Sequence, residues 1–370
     1  MTPWPRVAAG PHNVTMLAEA DVAVIGAGIA GVSVAYELSS DRSVVLLEQE
    51  NQPAYHTTGR SAAMFLQSYG GPAIRSLTAA SRPVFDAAGD LLTPRPLLWV
   101  APPEQVGSLA ALASAQPSLV PLDPAGAVEA CPVLRPGWCA AALLEPGALE
   151  IDVLGLHQHY LGGARRRGAR VLLNAGVRAG RHDRGRWHLD TAAGPVAATS
   201  VVNAAGAWAD RVAAGLGVPP VGLRPLRRTA AVARSAGVDR GWPIVADVGE
   251  TFYFRPEGAG VLVSPADETP SEPCDARPDD LDVALAVERV NEATVLGLRS
   301  VATAWAGLRT FAPDRNPVAG ADPAAPGLWW LAGQGGYGIQ IAPALARLAA
   351  AAVLGAGDAV PAGLSVARLR

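Results

Sequence analysis

The chain has 370 residues, half of them hydrophobic and 17% charged, with a formal net charge of −3 at pH 7. That length can bury a large core and make two domains. The near-balanced charge and a pI near 6.1 exclude an electrostatic footprint for nucleic acid or an anionic membrane. Every basic side chain is an arginine, since lysine is absent. Cys131, Cys139 and Cys274 are odd in number and lack metal-ligand spacing, so reduced thiols and a cytoplasmic location are expected.

Residues 1–19 hold three prolines and no apolar stretch long enough for a signal peptide. They are expected to be a disordered tail, with Met16 a candidate start, and nothing later approaches a membrane span. The segment DVAVIGAGIAGVSVAYELSSDRSVVLLE, residues 21–48, reads as strand, glycine loop, helix, second strand and closing acid. Gly26 permits the turn off the strand, Gly28 lets the backbone approach a pyrophosphate, and Gly31 lets the helix pack on the strand. The helix N-terminus offers N–H groups and a partial positive charge to phosphate. Glu48 lies 17 residues past Gly31, where an acid bonds a ribose hydroxyl. These features predict a bound ADP-containing dinucleotide without a 2′-phosphate, leaving NAD and FAD open.

The polar loop that follows carries Gly59, Arg60 and Ser61 ahead of a helical pattern over 72–85. Leu97-Leu98-Trp99-Val100 reads as a strand of a different domain, and the prolines of 117–136 mark loops and short turns. Ile151-Asp152 caps a helix running to about Arg167, whose arginine run suits a helix C-terminus. Strands are predicted over 170–173, 177–181, 187–191 and 200–206, the last ending in Ala204-Ala205-Gly206 before a helix over 207–216. From 219 to 306 the alternation is antiparallel in style, with strands over 227–233, 251–255 and 260–264 and a helix over 281–295. The last third returns to the dinucleotide pattern with a strand over 328–332, a loop with four glycines in 333–338, and an alanine-rich helix over 341–354.

Taken in order, VIGAGIAG, YHTTGRSAA, VVNAAGAWAD, FYFRPE, AWAGLRTFAPDRNPVAG and AGQGGYGIQ resemble the D-amino-acid oxidase/glycine oxidase superfamily of FAD enzymes, D-arginine dehydrogenases above all. The resemblance implies an α/β fold: a Rossmann-like FAD-binding domain over 20–90, 149–218 and 307–370, and an antiparallel-sheet α+β substrate domain over 91–148 and 219–306. It implies FAD between them, and a non-covalent attachment is expected because no cysteine lies in residues 333–338 and no histidine falls beside the glycine fingerprint. Contacts would come from Gly26, Gly28, Ile29, Ala30, Gly31, Glu48 and Gln49, from Thr58, Arg60, Ser61 and Ala62, from Val177, Ala205, Gly206 and Trp208, and from Gly335, Gly336, Tyr337, Gly338 and Ile339.

The implied reaction takes a hydride from the substrate Cα to flavin N5, with oxygen or a quinone or dye as final acceptor. Arg309 matches the arginine that pairs with the substrate carboxylate, a task suited to its planar fork. Arg228 and Tyr253 match groups at the carboxylate or amino end. Tyr69 matches a tyrosine on a mobile loop, Gly336 the carbonyl that receives the amine, and Gln340 a residue near the ring. The chain departs from its relatives at the side-chain end: Met64 stands for a histidine, Leu66 for a threonine and Leu97 for the acid that pairs with a guanidinium. The expected activity is oxidative deamination of apolar D-amino acids to 2-oxo acids and ammonia. The alternatives are a glycine, sarcosine or other N-methyl amino acid oxidase, and a flavin-binding subunit of a larger complex.

Overall fold

The computed structural model describes residues 16–356 and 359–370. Most of the expected tail lies outside the described residues. Ala18 and Glu19, however, belong to a strand, because Ala18–Ile25 pairs in parallel with Gly194–Asn203 from its first residue. Glu19 and Asp21 face outward and Val22, Val24 and Ile25 are buried, as a central strand covered on both faces requires.

The first sheet has eight strands. In order across it run Val177–Asp183, Arg186–Thr191, Gly194–Asn203, Ala18–Ile25, Val44–Leu47 and Arg170–Leu172. Leu328–Ala332 adds in parallel beside Val201, Val202 and Asn203, and Val318–Ala321 pairs with it. Helices Ile29–Leu38, Val153–Arg166 and Gly338–Val353 contribute to the core on one face. Ala209–Gly215 covers the other.

The second sheet has ten strands and is antiparallel except where Ile244–Asp247 runs parallel to Leu97–Ala101. Its register sorts side chains onto two faces. Leu98, Val100, Ala231, Ala233, Val245, Phe254, Val261 and Val263 pack with residues of helices Pro124–Ala130 and Asp280–Ala293. Leu97 and Trp99 lie beside Ile244 and Ala246, Ala246 beside Tyr253, Arg228 beside Gly307, and Leu226 beside Arg309. This alternate set forms the face turned toward the first sheet's glycine loops.

Three expected domain assignments cut across strand pairings. The break at 306/307 falls inside Val301–Phe311, a strand that pairs with Arg224–Arg234 from end to end. Gln334–Gly335, expected in the FAD-binding part, extends the second sheet beside Thr310 and Phe311. Leu92–Pro94, expected in the substrate part, joins Met64–Phe65 and Leu149–Ile151 in a separate three-stranded sheet. Hydrogen-bond ladders, not composition, decide where such boundaries fall.

Candidate functional site

Two cavities of about 260 and 330 Å³ share Gly28, Thr57, Thr58, Ala204, Gly206 and Ala207 as lining residues, so they form one groove. It runs between the glycine loop of the first sheet and the inward face of the second. The three glycines of the fingerprint serve it differently. A Cβ on Gly31 would stand 1.7 Å from the Gly26 carbonyl oxygen, so Gly31 is required by packing and does not line the groove. Gly26 has φ +100°, and a Cβ there would meet the Ala204 oxygen at 2.7 Å. Gly28 caps the Ile29–Leu38 helix and lines both cavities, and a Cβ there would meet only the Thr58 hydroxyl, at 3.1 Å. Its missing side chain leaves space to the groove.

Glu48 is buried and accepts Ala27 N–H at 2.7 Å and Glu50 N–H at 3.0 Å, bracing the glycine loop from the end of Val44–Leu47. It lines the 330 Å³ cavity with Gln49, Val177, Ala205 and Trp208. His56 lies there too, its ring 4.5 Å from Trp208 and its Nε2 2.9 Å from Glu50. Thr58 Oγ1 accepts the Ile29 N–H at 3.0 Å, taking one of the free donors of the helix start. Arg60 lines the other cavity, but its guanidinium donates to the Ala276 and Ala306 carbonyls and pairs with Asp275. With Trp305 Nε1 donating to the Arg60 carbonyl and Thr57 Oγ1 to the Leu308 carbonyl, it ties the loop to the second sheet.

The 260 Å³ cavity is lined by Ile29, Ala30, Ser61 and Ala62, and by Gly335, Gly336, Gly338 and Ile339 at the start of the Gly338–Val353 helix. Arg228, Tyr253, Arg309 and Tyr69 converge on it. Arg309 has one hydrogen-bond partner among the described residues, the Tyr69 hydroxyl at 3.5 Å. Burial opposes its charge, but the phenols of Tyr69 and Tyr253 outweigh that and hold it firmly protonated. Arg228 donates Nε to the Asp267 carbonyl at 2.8 Å, and its Nη2 lies 3.5 Å from Glu268 Oε1 in an ion pair. Burial, then the Arg309 charge, lowers Arg228 from its ordinary value. Two guanidinium groups lining one cavity, with Arg309 lacking any carboxylate partner among the described residues, suit a ligand carboxylate.

Gly336 is held to glycine by Arg309: a Cβ would stand 2.6 Å from Arg309 Cζ. Tyr337, expected at the cofactor, does not line either cavity. Its ring packs 4.9 Å from Tyr69 and 6.4 Å from Phe311, and burial pushes its phenol up to about 12.

Met64, Leu66 and Leu97 line the cavity and belong to one apolar cluster with Trp99, Ile244 and Ala246. Gln340 also lines it, with its amide turned to protein: Oε1 accepts Leu66 N–H at 3.1 Å and Nε2 donates to Thr78 Oγ1 at 2.9 Å. Buried Glu145 accepts Gln67 N–H at 2.9 Å, Ser68 N–H at 3.2 Å and the Ser68 hydroxyl. The segment leading to Tyr69, expected to be a mobile loop, is therefore clamped at Leu66, Gln67 and Ser68. Trp99, Glu145, Asp247 and Glu250 were not anticipated as part of the site. Trp99 had a usable signal, because strand alternation puts it on the Leu97 face; lone acids in AALLE and ADVGETFY carried none.

No helix among the described residues is long and apolar enough to cross a membrane. The sequence profile of the family "FAD dependent oxidoreductase" matches residues 21–352. Human mitochondrial dimethylglycine dehydrogenase is 27% identical over 267 residues, covering 66% of this chain and 30% of that protein. The bifunctional tRNA 5-methylaminomethyl-2-thiouridine biosynthesis protein MnmC of Caulobacter sp. (strain K31) is 30% identical over 390 residues, covering 98% of this chain and 58% of that protein. The chain thus spans about a third of the mitochondrial dehydrogenases it matches. Glycine oxidase from Geobacillus kaustophilus superposes with a TM-score of 0.80 at 23% identity, over 91% of this chain and 95% of that one. L-proline dehydrogenase from P. horikoshii gives 0.81 at 21%, over 92% and 94%. With a glycine cradle that leaves space at Gly28 and a profile match over most of its length, the chain belongs to the FAD-dependent oxidoreductase family, and FAD is its cofactor.

Proposed function

We propose that the protein oxidises the Cα–N bond of D-amino acids that present apolar side-chain surface, releasing 2-oxo acids and ammonia. The observation that carries this is the pair of guanidinium groups lining the cavity on the inward face of the second sheet, of which Arg309 has no carboxylate partner among the described residues. Arg309 and Arg228 would hold the α-carboxylate, Tyr253 and Tyr69 would complete that end, and the Gly336 carbonyl would receive the amine. The adenosine end of FAD would lie along Gly26, Gly28, Glu48, Gln49, Val177, Ala205 and Trp208. Its ring would lie against Ser61, Ala62, Gly335, Gly338 and Ile339. Bound flavin supplies a two-electron acceptor, so the substrate's Cα–H leaves as hydride and water hydrolyses the imino acid. The D configuration and the deamination rest on the family resemblance of the motifs.

Met64, Leu66 and Leu97 would meet the substrate side chain. A guanidinium brought against that wall would be a buried charge, at a cost of several kcal/mol, against about 1 kcal/mol from each methylene contact. The carboxylates on the same cavity are Asp247, whose Oδ2 already accepts Thr251 N–H and Oγ1 and lies 3.5 Å from Gln105, and Glu250, which is exposed. D-Arginine is therefore ranked below D-leucine. The similarity to glycine oxidase and dimethylglycine dehydrogenase favours, as a second reading, oxidation of glycine or an N-methyl amino acid. Anaerobic mixing with D-, L- and N-methyl amino acids, watching the flavin bleach, separates the two. Bleaching by D-leucine, D-methionine or D-phenylalanine is expected. Bleaching by sarcosine or glycine alone replaces the main reading with the second, and bleaching by none points to an electron-passing subunit. Reoxidation by air or by a quinone then identifies the acceptor.

A further inference from the structure

Arg228, unlike Arg309, has a carboxylate beside it. Thr229 N–H and Oγ1 donate to the Asp267 carboxylate at 2.6 and 3.1 Å, and Arg228 Nε donates to the Asp267 carbonyl, so residue 267 is fixed to the strand that carries Arg228. Thr269 pairs with Arg227 of the same strand, and one further step of that antiparallel register puts Glu268 beside Arg228. Glu268 Oε1 stands 3.5 Å from Arg228 Nη2, beyond the roughly 2.8 Å of a charge-assisted hydrogen bond. Its bonds go to Arg315 instead, whose Nη1 and Nη2 donate to Oε2 and Oε1 at 3.0 and 2.8 Å. Burial acts to raise the Glu268 carboxyl, but the Arg315 hydrogen bond and the Arg315, Arg228 and Arg309 charges hold it below the ordinary range. Arg315 is itself placed with its guanidinium 3.9 Å over the Phe311 ring.

We propose that Glu268 competes with the substrate carboxylate for Arg228, and that Arg315 holds it off by engaging both of its oxygens. This rests on reading Arg228 as a carboxylate-binding group. A tethered carboxylate meets a guanidinium at high effective concentration, so one released beside Arg228 displaces a dissolved substrate. Glu268 and Arg315 are thus positioning residues that act through Arg228. The two partners of one ion pair then have opposite effects. Without Arg315, Glu268 closes on Arg228 and substrate binds more weakly. Without the Glu268 charge, both the competitor and its repulsion of the substrate carboxylate are gone, and substrate binds more tightly. A pair that only braced the fold would give both losses the same sign.

The test uses the flavin-loaded full chain and reads KM and kcat for D-leucine, or for sarcosine if that alone bleaches the flavin, since each carries the carboxylate. The inhibition constant of acetate, a carboxylate with nothing to oxidise, is read beside them. Arg315→Met, which keeps a stem for Phe311, should raise KM and the acetate constant by roughly fivefold with kcat little changed. Glu268→Gln should lower both by roughly twofold or more, and the double variant should match Glu268→Gln. The two side chains are 50% and 31% exposed, and a wild-type flavin spectrum and melting midpoint check that the variants fold. Shifts of the same sign, no shift, or a double variant that follows Arg315→Met overturns the competition and leaves the amino-acid reading standing. Arg228→Met with an unchanged KM overturns the assignment beneath it, and no flavin reduction by any amino acid overturns both.

Discussion

Gly336 has no room for a methyl group, and the obstacle is a guanidinium. A Cβ there would fall 2.6 Å from Arg309 Cζ and 2.8 Å from its Nε, so Gly336→Ala must push Arg309 aside. The expected outcome is a higher KM and a lower kcat/KM with flavin retained, read by steady-state kinetics beside a visible spectrum; wild-type kinetics would show that Arg309 does not hold the substrate. Arg309→Met removes the charge outright. Breaking a buried charge-assisted pair costs roughly 2–5 kcal/mol, or about 30- to 5,000-fold in kcat/KM, including the carboxylate left unpaired. A loss of tenfold or less would move the carboxylate to Arg228. These residues were legible because each sits in a motif whose neighbours also match. Asp247 was not, since a lone aspartate at the end of a strand carries no signal of its own, whereas Trp99 could have been read from the alternation that puts it on the Leu97 face.

The elements with strong periodicity were read well, including Gly260–Ser264 and Leu328–Ala332, which match their expected limits. Helix Pro124–Ala130 was read as loop because its prolines were taken as breakers. Pro124 instead fills the first helical position behind Asp123, whose carboxylate accepts Gly126 N–H at 2.7 Å, and there proline costs nothing. Helix Val153–Arg166 was anticipated from its cap, and it carries a group with a pH signature. His157 is 1% exposed, its Nε2 donates to the Ala27 carbonyl of the glycine loop at 2.9 Å, and its Nδ1 has no hydrogen-bond partner among the described residues. Burial lowers it from the ordinary histidine value, with the Ala27 bond acting the other way. Below about pH 6.5 the unfolded chain therefore takes up a proton that the folded chain refuses, and stability falls as pH drops through that window. Thermal midpoints from pH 8 to 5 should show this decline, and His157→Gln, which keeps an N–H donor, should lessen it. An identical slope in the variant would assign the decline to other groups.

At the scale of the whole molecule, the groove is built by both sheets, and the chain crosses between them several times. The alternation was legible as changes of pattern, but the exact crossings were not, because Val301–Phe311 spans the expected boundary and carries Arg309 from one sheet toward the other's cofactor loops. Arg60, Thr57 and Trp305 link the sheets without help from a ligand. Removing FAD should thus leave a folded protein that melts lower and takes the flavin back. A ligand at a thousandfold excess over its Kd contributes about 4 kcal/mol to the folded state. The midpoint should rise by several degrees on FAD addition, and equal midpoints with and without FAD would end the idea that the cofactor bridges the sheets. The attachment is expected to be non-covalent, since no cysteine or histidine is among the residues lining the Arg309 cavity. Acid precipitation should release the yellow colour into the supernatant. Colour left in the pellet would mean a covalent bond, and His56 would be the first residue to replace, because it lines the adjoining cavity. Loss of the pellet's colour in His56→Ala would then assign the link to that ring.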